Sequence, residues 1–499
     1  MAAFPRLTSA SVASAAAVGL VVSLVPAPPA AAAPCAQTIS AEAKDVPQPP
    51  HTTWSAPVDR EPIGRKPAGV QDQAPPPALG PLPAADPDPP EPSTPNSAPM
   101  EEQAAVIPVP TPPDGGGQPA PESAKPLSPA PNAAAPPGPK APDRAIGPIG
   151  PTKVVGWLNG PNSRNHTWPR FGISGADLGI MWDNGQVGGN DQVLIAFGDT
   201  FGDCTVPGQQ WRSNTLLRSA DHNLSDGVTV PDPAFGNIYA GSPVAADHPN
   251  FSRQIIDSLD LAPTEATVIP TAGISVGSAQ YVNFMSVKQW GNPGQWTTNF
   301  SAIAVSKDNG ETWTVNRAMI RASSRDSAPG VPYVSGNQHF QQGAFLRRDG
   351  YVYSFGTPSG RSGSAYVSRV PENAMLDLTK YEYWNQPWWK PGPGSWVRND
   401  PSAATVVISA PVSEMSAQYN DHVKKYIVLY TNYFNSVVMR TADNPQGPWS
   451  SARTLVRSIQ VPGGIYAPFI HPWSAGRDLY FNLSLWSSYS VMLMHATLP

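Results

Sequence analysis

From about residue 149 onward, apolar residues come in short runs rich in β-branched and aromatic side chains, separated by Gly, Asn, Asp and Ser. Runs of this length between turn residues predict strands, and the clearest cover 193–197, 281–285, 301–305, 351–355, 426–430 and 479–483. No stretch in this region holds a helical period for more than about two turns. Many short strands at even spacing imply a sandwich, a barrel or a propeller. The region divides into five similar units near 168–230, 262–318, 338–385, 411–456 and 464–499, each with room for up to four strands. That repetition favours an all-β fold, a five-bladed β-propeller. The last unit is short, and a strand near 154–157 would complete it and close the ring.

The first 148 residues follow a different pattern. Residues 1–33 read as an export signal: Arg6, then a mostly apolar run over 15–25, then small residues ending at Ala33. The run is too short for a stable membrane span, and no other segment is long and apolar enough for one. Residues 34–148 carry 32 of the chain's 62 prolines. Such a composition cannot bury enough apolar surface to offset ordering, so a disordered, extended linker is expected, with residues 149–499 as the folded domain. The net charge of −5 and the lack of a basic patch argue against a nucleic-acid partner. Export permits a disulfide between Cys35 and Cys204, or leaves them unpaired. A secreted or cell-envelope monomer is the expectation.

One local motif supports the propeller. Ser306-Lys307-Asp308-Asn309-Gly310-Glu311-Thr312-Trp313 fits S-x-D-x-G-x-T-W and resembles the Asp box of sialidase-type propellers. Asn309-Gly310 suits a tight turn with positive φ, Asp308 can accept N–H bonds within it, and Trp313 can pack into the blade. A weaker echo spans residues 441–449, ending in Pro448-Trp449. The box is a structural device, so the chemistry must be sought elsewhere.

In a propeller, the start of each inner strand faces the axial funnel. The corresponding segments offer Asp177 in Gly175-Ala176-Asp177-Leu178-Gly179, Glu265 in Pro263-Thr264-Glu265-Ala266-Thr267, and Glu414 before Met415. Asp199 ends a buried strand in Phe197-Gly198-Asp199-Thr200-Phe201. Carboxyl groups converging in one cavity are what glycoside hydrolysis requires: one protonated to help the leaving oxygen depart, one ionised to activate water or attack the anomeric carbon. The candidate assignment is Asp177 as base or nucleophile and Glu265 as acid, with Asp199 and Glu414 tuning them. Arg170, Trp168, His339, Gln342 and Trp473 are candidate substrate contacts. No cofactor is expected, although His339 could ligate a structural cation in the funnel; no metal set is evident from spacing.

Together the Gly175–Gly179 and Phe197–Phe201 motifs, Glu265-Ala266-Thr267-Val268-Ile269-Pro270 and the terminal Leu479-Tyr480-Phe481-Asn482-Leu483-Ser484 resemble the exported bacterial family DUF4185, also classed as glycoside hydrolase family 183. The resemblance covers roughly residues 149–499. It implies an endo-D-arabinanase that cleaves internal D-arabinofuranosyl bonds of arabinogalactan and lipoarabinomannan, with Asp177 and Asp199 the first carboxylates to carry over. Cell-wall arabinan is then the expected partner. Two rivals remain: a non-catalytic glycan- or partner-binding propeller, and a glycosidase of other specificity. A sialidase would want an arginine cluster, whereas here the arginines are scattered without clear spacing.

Overall fold

A computed structural model describes residues 152–499, apart from 388, 390, 391 and 413. The expected export signal and proline-rich linker lie outside the described residues. The described chain is almost entirely strand and turn; its one α-helix is the five-residue Thr167–Phe171.

Five antiparallel sheets follow one another along the chain, and each is a blade. Blade one holds Ile180–Asp183, Val193–Phe197 and Thr215–Ser219, with Gly175–Ala176 pairing Thr200–Phe201 at its inner end. Blade two runs Thr267–Val276, Ala279–Trp290, Trp296–Ser306 and Thr314–Val315. Blade three begins at Gln342–Arg348 and blade four at Met415–Asn420. Blade five takes three strands from the C-terminus and its outermost, Lys153–Trp157, from the start of the domain, where it pairs with Ser490–Thr497. The structure therefore bears out the five-bladed propeller and the closing strand. Blade three departs from the expected limit: it extends past residue 385 to a fifth strand, Ser395–Arg398, which pairs Glu382–Asn385 and sets Trp396 against Trp384, ring centroids 5.2 Å apart and planes tilted by 60°.

The core explains why the ring closes. Buried apolar side chains fall into five clusters among the described residues, and each joins a neighbouring pair of blades: one and two, two and three, three and four, four and five, five and one. An antiparallel strand presents alternate residues to opposite faces, so each blade buries both faces against its neighbours. The Asp box is one such seam. Asp308 accepts bonds from Thr312 N at 2.8 Å and from the Ser306 hydroxyl at 2.7 Å, and Asn309 and Gly310 take φ of 55° and 81°. Trp313 donates to the Gly310 carbonyl and meets Trp182 of blade one edge-on. In the weaker echo, Trp449 is buried and packs against Phe355 of blade three.

Candidate active site

The inner strands start on one face of the ring, and side chains from all five blades meet there. Asp177 follows the short inner strand of blade one. Its backbone is pinned from blade five: Ser484 Oγ accepts the Leu178 N–H at 2.9 Å, Asn482 Nδ2 donates to the Gly179 carbonyl at 2.9 Å, and the Ala176 N–H reaches the Tyr489 carbonyl at 2.8 Å. Two of the sequence motifs are thus halves of one joint. The joint holds Leu178 at φ 67°, a left-handed conformation costly for a non-glycine residue, and Ala467 and Tyr489 nearby share it at 53° and 50°.

The Asp177 carboxyl accepts a hydrogen bond from the Tyr466 phenol on Oδ2, at 3.0 Å, and the Tyr489 phenol lies against it, while Oδ1 is closed from solvent. A Cβ on Gly198 would stand 2.6 Å from that Oδ1, so a glycine there makes room for the carboxyl. Burial, reinforced by the negative charge of Asp199, raises the Asp177 pKa to about 8; the Tyr466 bond and the Arg361 charge oppose the rise. Asp199 accepts bonds on Oδ1 from Thr267 Oγ1 at 2.8 Å and Trp211 Nε1 at 3.1 Å. Burial lifts its pKa to about 6, with those two donors holding it down. The Tyr489 phenol is pushed well up by burial and by the field of Asp177 and Asp199.

Blade four supplies Glu414, whose carboxylate is clasped by Arg361 of blade three through Nη2 at 2.7 Å and Nε at 3.0 Å. The Arg361 guanidinium also lies 4.6 Å over the Tyr466 ring. Its loop is anchored by Gln342, whose Nε2 donates to the carbonyls of Pro358 and Gly360 at 3.0 and 2.7 Å. Arg361 thus pairs with Glu414 and its charge reaches Asp177, while Asp199 and Glu414 add negative charge beside Asp177. That surplus of negative charge favours keeping a proton in the funnel.

Other sequence candidates are placed differently. Glu265 precedes the inner strand of blade two that carries Thr267, but it bonds Ser286 and Ser258, and its charged neighbour is Asp260. Burial raises its pKa. His339 stacks on Tyr366 with ring centroids 4.0 Å apart, and burial pushes its imidazole down. Arg170 is spent on structure, bonding Asp232, the Asn165 carbonyl and the Val230 carbonyl. Trp168 is exposed on the short helix at the edge of blade one. Trp473 lies beyond the far end of the blade-five inner strand Ile465–Ile470, bonded to Asp183 and stacked on His222. The structure does not bring Arg170 or Trp473 to the carboxyl cluster. The sequence reading gave no role to Arg361, Tyr466, Tyr489, Trp211 or Thr267, although it placed Tyr466 and Thr267 in funnel-facing segments. Tyr466 and Thr267 had a usable signal, each being the first polar side chain of its inner strand.

Among the described residues, no group of three or more His, Cys, Asp or Glu side chains could hold a metal ion. Cys204 is disulfide-bonded, and the expectation for Cys35 lies outside the described residues.

A family model described as "Domain of unknown function (DUF4185)" matches residues 162–495. Notoamide biosynthesis cluster protein J of Aspergillus sp. (strain MF297-2) is 29% identical over 332 residues, spanning 64% of this chain and 82% of that protein. Among solved structures, an α-L-arabinofuranosidase of Podospora anserina is similar at 13% identity and a TM-score of 0.37, over 70% of this chain and 98% of that one. The catalytic domain of a Coprinopsis cinerea α-L-arabinofuranosidase matches at 13% identity and a TM-score of 0.37, over 70% and 97%.

Proposed function

Because the chain belongs to the DUF4185 family, and because its funnel holds two carboxyls with separated pKa values, we propose that it is an exported glycoside hydrolase acting on D-arabinofuranosyl linkages of cell-wall arabinan. The observation that carries this reading is the Asp177–Asp199 pair. Both groups are raised, to about 8 and about 6, by shared burial and, for Asp177, by mutual repulsion. Near neutral pH one carries a proton and the other does not, the division of labour that glycoside cleavage uses.

We assign the roles differently from the sequence expectation, which took Asp177 as base or nucleophile and Glu265 as acid. Asp177 is the protonated partner and general acid; its proton passes to the glycosidic oxygen as the bond to the anomeric carbon breaks. Asp199, held ionised by the Thr267 and Trp211 donors, takes a proton from attacking water or attacks the anomeric carbon itself. Arg361, fixed by Glu414, limits the negative charge around the pair and steadies Tyr466, which in turn orients Asp177.

A non-catalytic glycan-binding propeller is the second reading. It is favoured by one observation, the closure of Asp177 Oδ1 from solvent in this state. Incubating the purified chain with arabinogalactan and lipoarabinomannan separates the two. Release of short arabinose oligosaccharides, abolished by Asp177→Asn with the melting temperature unchanged, is the expected result. Polymer that is bound but stays intact would leave the binding reading standing, and polymer neither bound nor cut would remove both.

A further inference from the structure

The face that carries the carboxyls also carries an apolar corner that the chemistry above does not use. The strand Lys425–Thr431 of blade four runs back toward the end where Glu414 lies, so the turn at 432–436 stands on that same face. Two aromatic residues project from it: Tyr433 is 79% exposed and Phe434 73%. Their ring centroids are 5.5 Å apart with planes at 87°, forming an open corner. Ile459, 81% exposed, sits on the neighbouring turn, which is tied to this one by the Ser458 N–H donating to Ser436 Oγ.

The corner is held firmly. Asn432 Oδ1 accepts the N–H groups of Phe434 and Ser436 at 3.0 and 3.1 Å, and the Asn435 N–H bonds the Asn432 carbonyl at 2.9 Å. A backbone fixed in this way loses little freedom on binding, which favours contact with a ligand. Large apolar groups left together in water on a rigid turn mark a contact surface.

Position selects the occupant. The turn joins the second and third strands of blade four, between one and two strand spacings, roughly 5–10 Å, outward from the inner strand. Blade five carries further aromatic side chains on this face, nearer the carboxyls. Trp486 meets Tyr466 edge-on at 6.0 Å, and Tyr466 holds Asp177. A glycan chain leaving the funnel toward blades four and five would cross these rings. Sugar rings offer flat C–H faces that stack on aromatic faces while their hydroxyls stay wet. The corner and the carboxyls therefore share one face of the ring, and the chain leads from one to the other through residues 459–464, whose Gly463 and Gly464 carbonyls accept the Ser487 and Trp486 N–H groups of blade five.

We infer that Tyr433, Phe434 and Ile459 form a distal glycan subsite, which holds sugar units of a polymer remote from the bond being cut. This rests on the glycan reading above and extends it to a preference for long chains.

The test uses the full chain and the double variant Tyr433→Ala/Phe434→Ala, whose side chains are exposed enough that folding is not at stake; an unchanged melting curve verifies this. Cleavage of purified D-arabinan and of a short synthetic arabinofuranoside is followed for both proteins. The expected result is a KM for arabinan raised roughly tenfold, the scale of two aromatic contacts, with kcat kept and the short substrate cut equally by both. Equal KM on arabinan would overturn the subsite and leave the hydrolase reading intact. If neither protein cuts any glycan, the hydrolase reading fails, and sedimentation with insoluble arabinan decides the subsite alone: weaker binding by the variant supports it, and equal binding ends it. Loss of activity on the short substrate as well would also overturn it, by placing these rings at the reacting centre.

Discussion

Asp177 is where the proposed chemistry is most exposed to refutation, because its proton must be present for the acid step. With Asp177 near 8 and Asp199 near 6, activity needs the first protonated and the second ionised. The pH profile of kcat/KM should therefore be a bell, falling below about 6 and above about 8. Because the two groups interact, the limbs belong to the pair rather than to either residue alone. Tyr466→Phe refines the argument. The Tyr466 phenol donates to Asp177 and so lowers its pKa. Removing a hydrogen bond worth about 1 kcal/mol should move the alkaline limb upward by about 0.7 in pH. A limb that stays put, or moves down, would show that the Asp177–Asp199 pair does not set it.

At the scale of single elements, the strand-to-loop step Phe197-Gly198-Asp199 makes room for both carboxyls. Gly198 does not need a special φ; what it supplies is space, since a Cβ would lie 2.6 Å from Asp177 Oδ1 and 3.2 Å from Leu178 Cδ1. Gly198→Ala should cost about 1–3 kcal/mol of stability, the usual scale of overpacking. It should also lower kcat by more than that stability loss explains, because the displaced atom is the proposed acid; parallel melting and single-turnover measurements check this. The same elements show what the sequence could reveal. The strands, the Asp box and the closing strand near 154–157 were legible because apolar period and turn chemistry are local. The joint between Asp177 and Ser484 was visible only as two motifs about 300 residues apart, since nothing local says that Leu178 N–H will meet that hydroxyl. Arg361 had no repeat spacing to betray it. Trp473 was placed in the funnel for want of one fact: the six-residue strand Ile465–Ile470, roughly 20 Å long, separates it from Tyr466 at the other end.

For the molecule as a whole, everything depends on a ring whose last blade is assembled from both ends of the domain. Lys153–Trp157 pairs Ser490–Thr497 with a bulge between Val154 and Gly156. The irregularity lets Val155 pack on the cluster between blades five and one, while Trp157 packs on the cluster between blades four and five. One strand thus latches two seams. Val155→Ala/Trp157→Ala should destabilise the domain by about 2–4 kcal/mol, less than full burial of both side chains would imply because each is only partly covered. More telling is where the loss falls. Hydrogen exchange should show residues 490–497 opening first, with the blade-three strands still protected; a uniform loss of protection would mean that this strand is not the latch. Opening there carries a functional cost, because the hairpin between Asp478–Leu485 and Ser490–Thr497 bears Tyr489, whose carbonyl holds the Ala176 N–H beside Asp177. Activity in the double variant should therefore disappear at a lower denaturant concentration than the global unfolding signal. A ring that stays closed until it melts would lose both together.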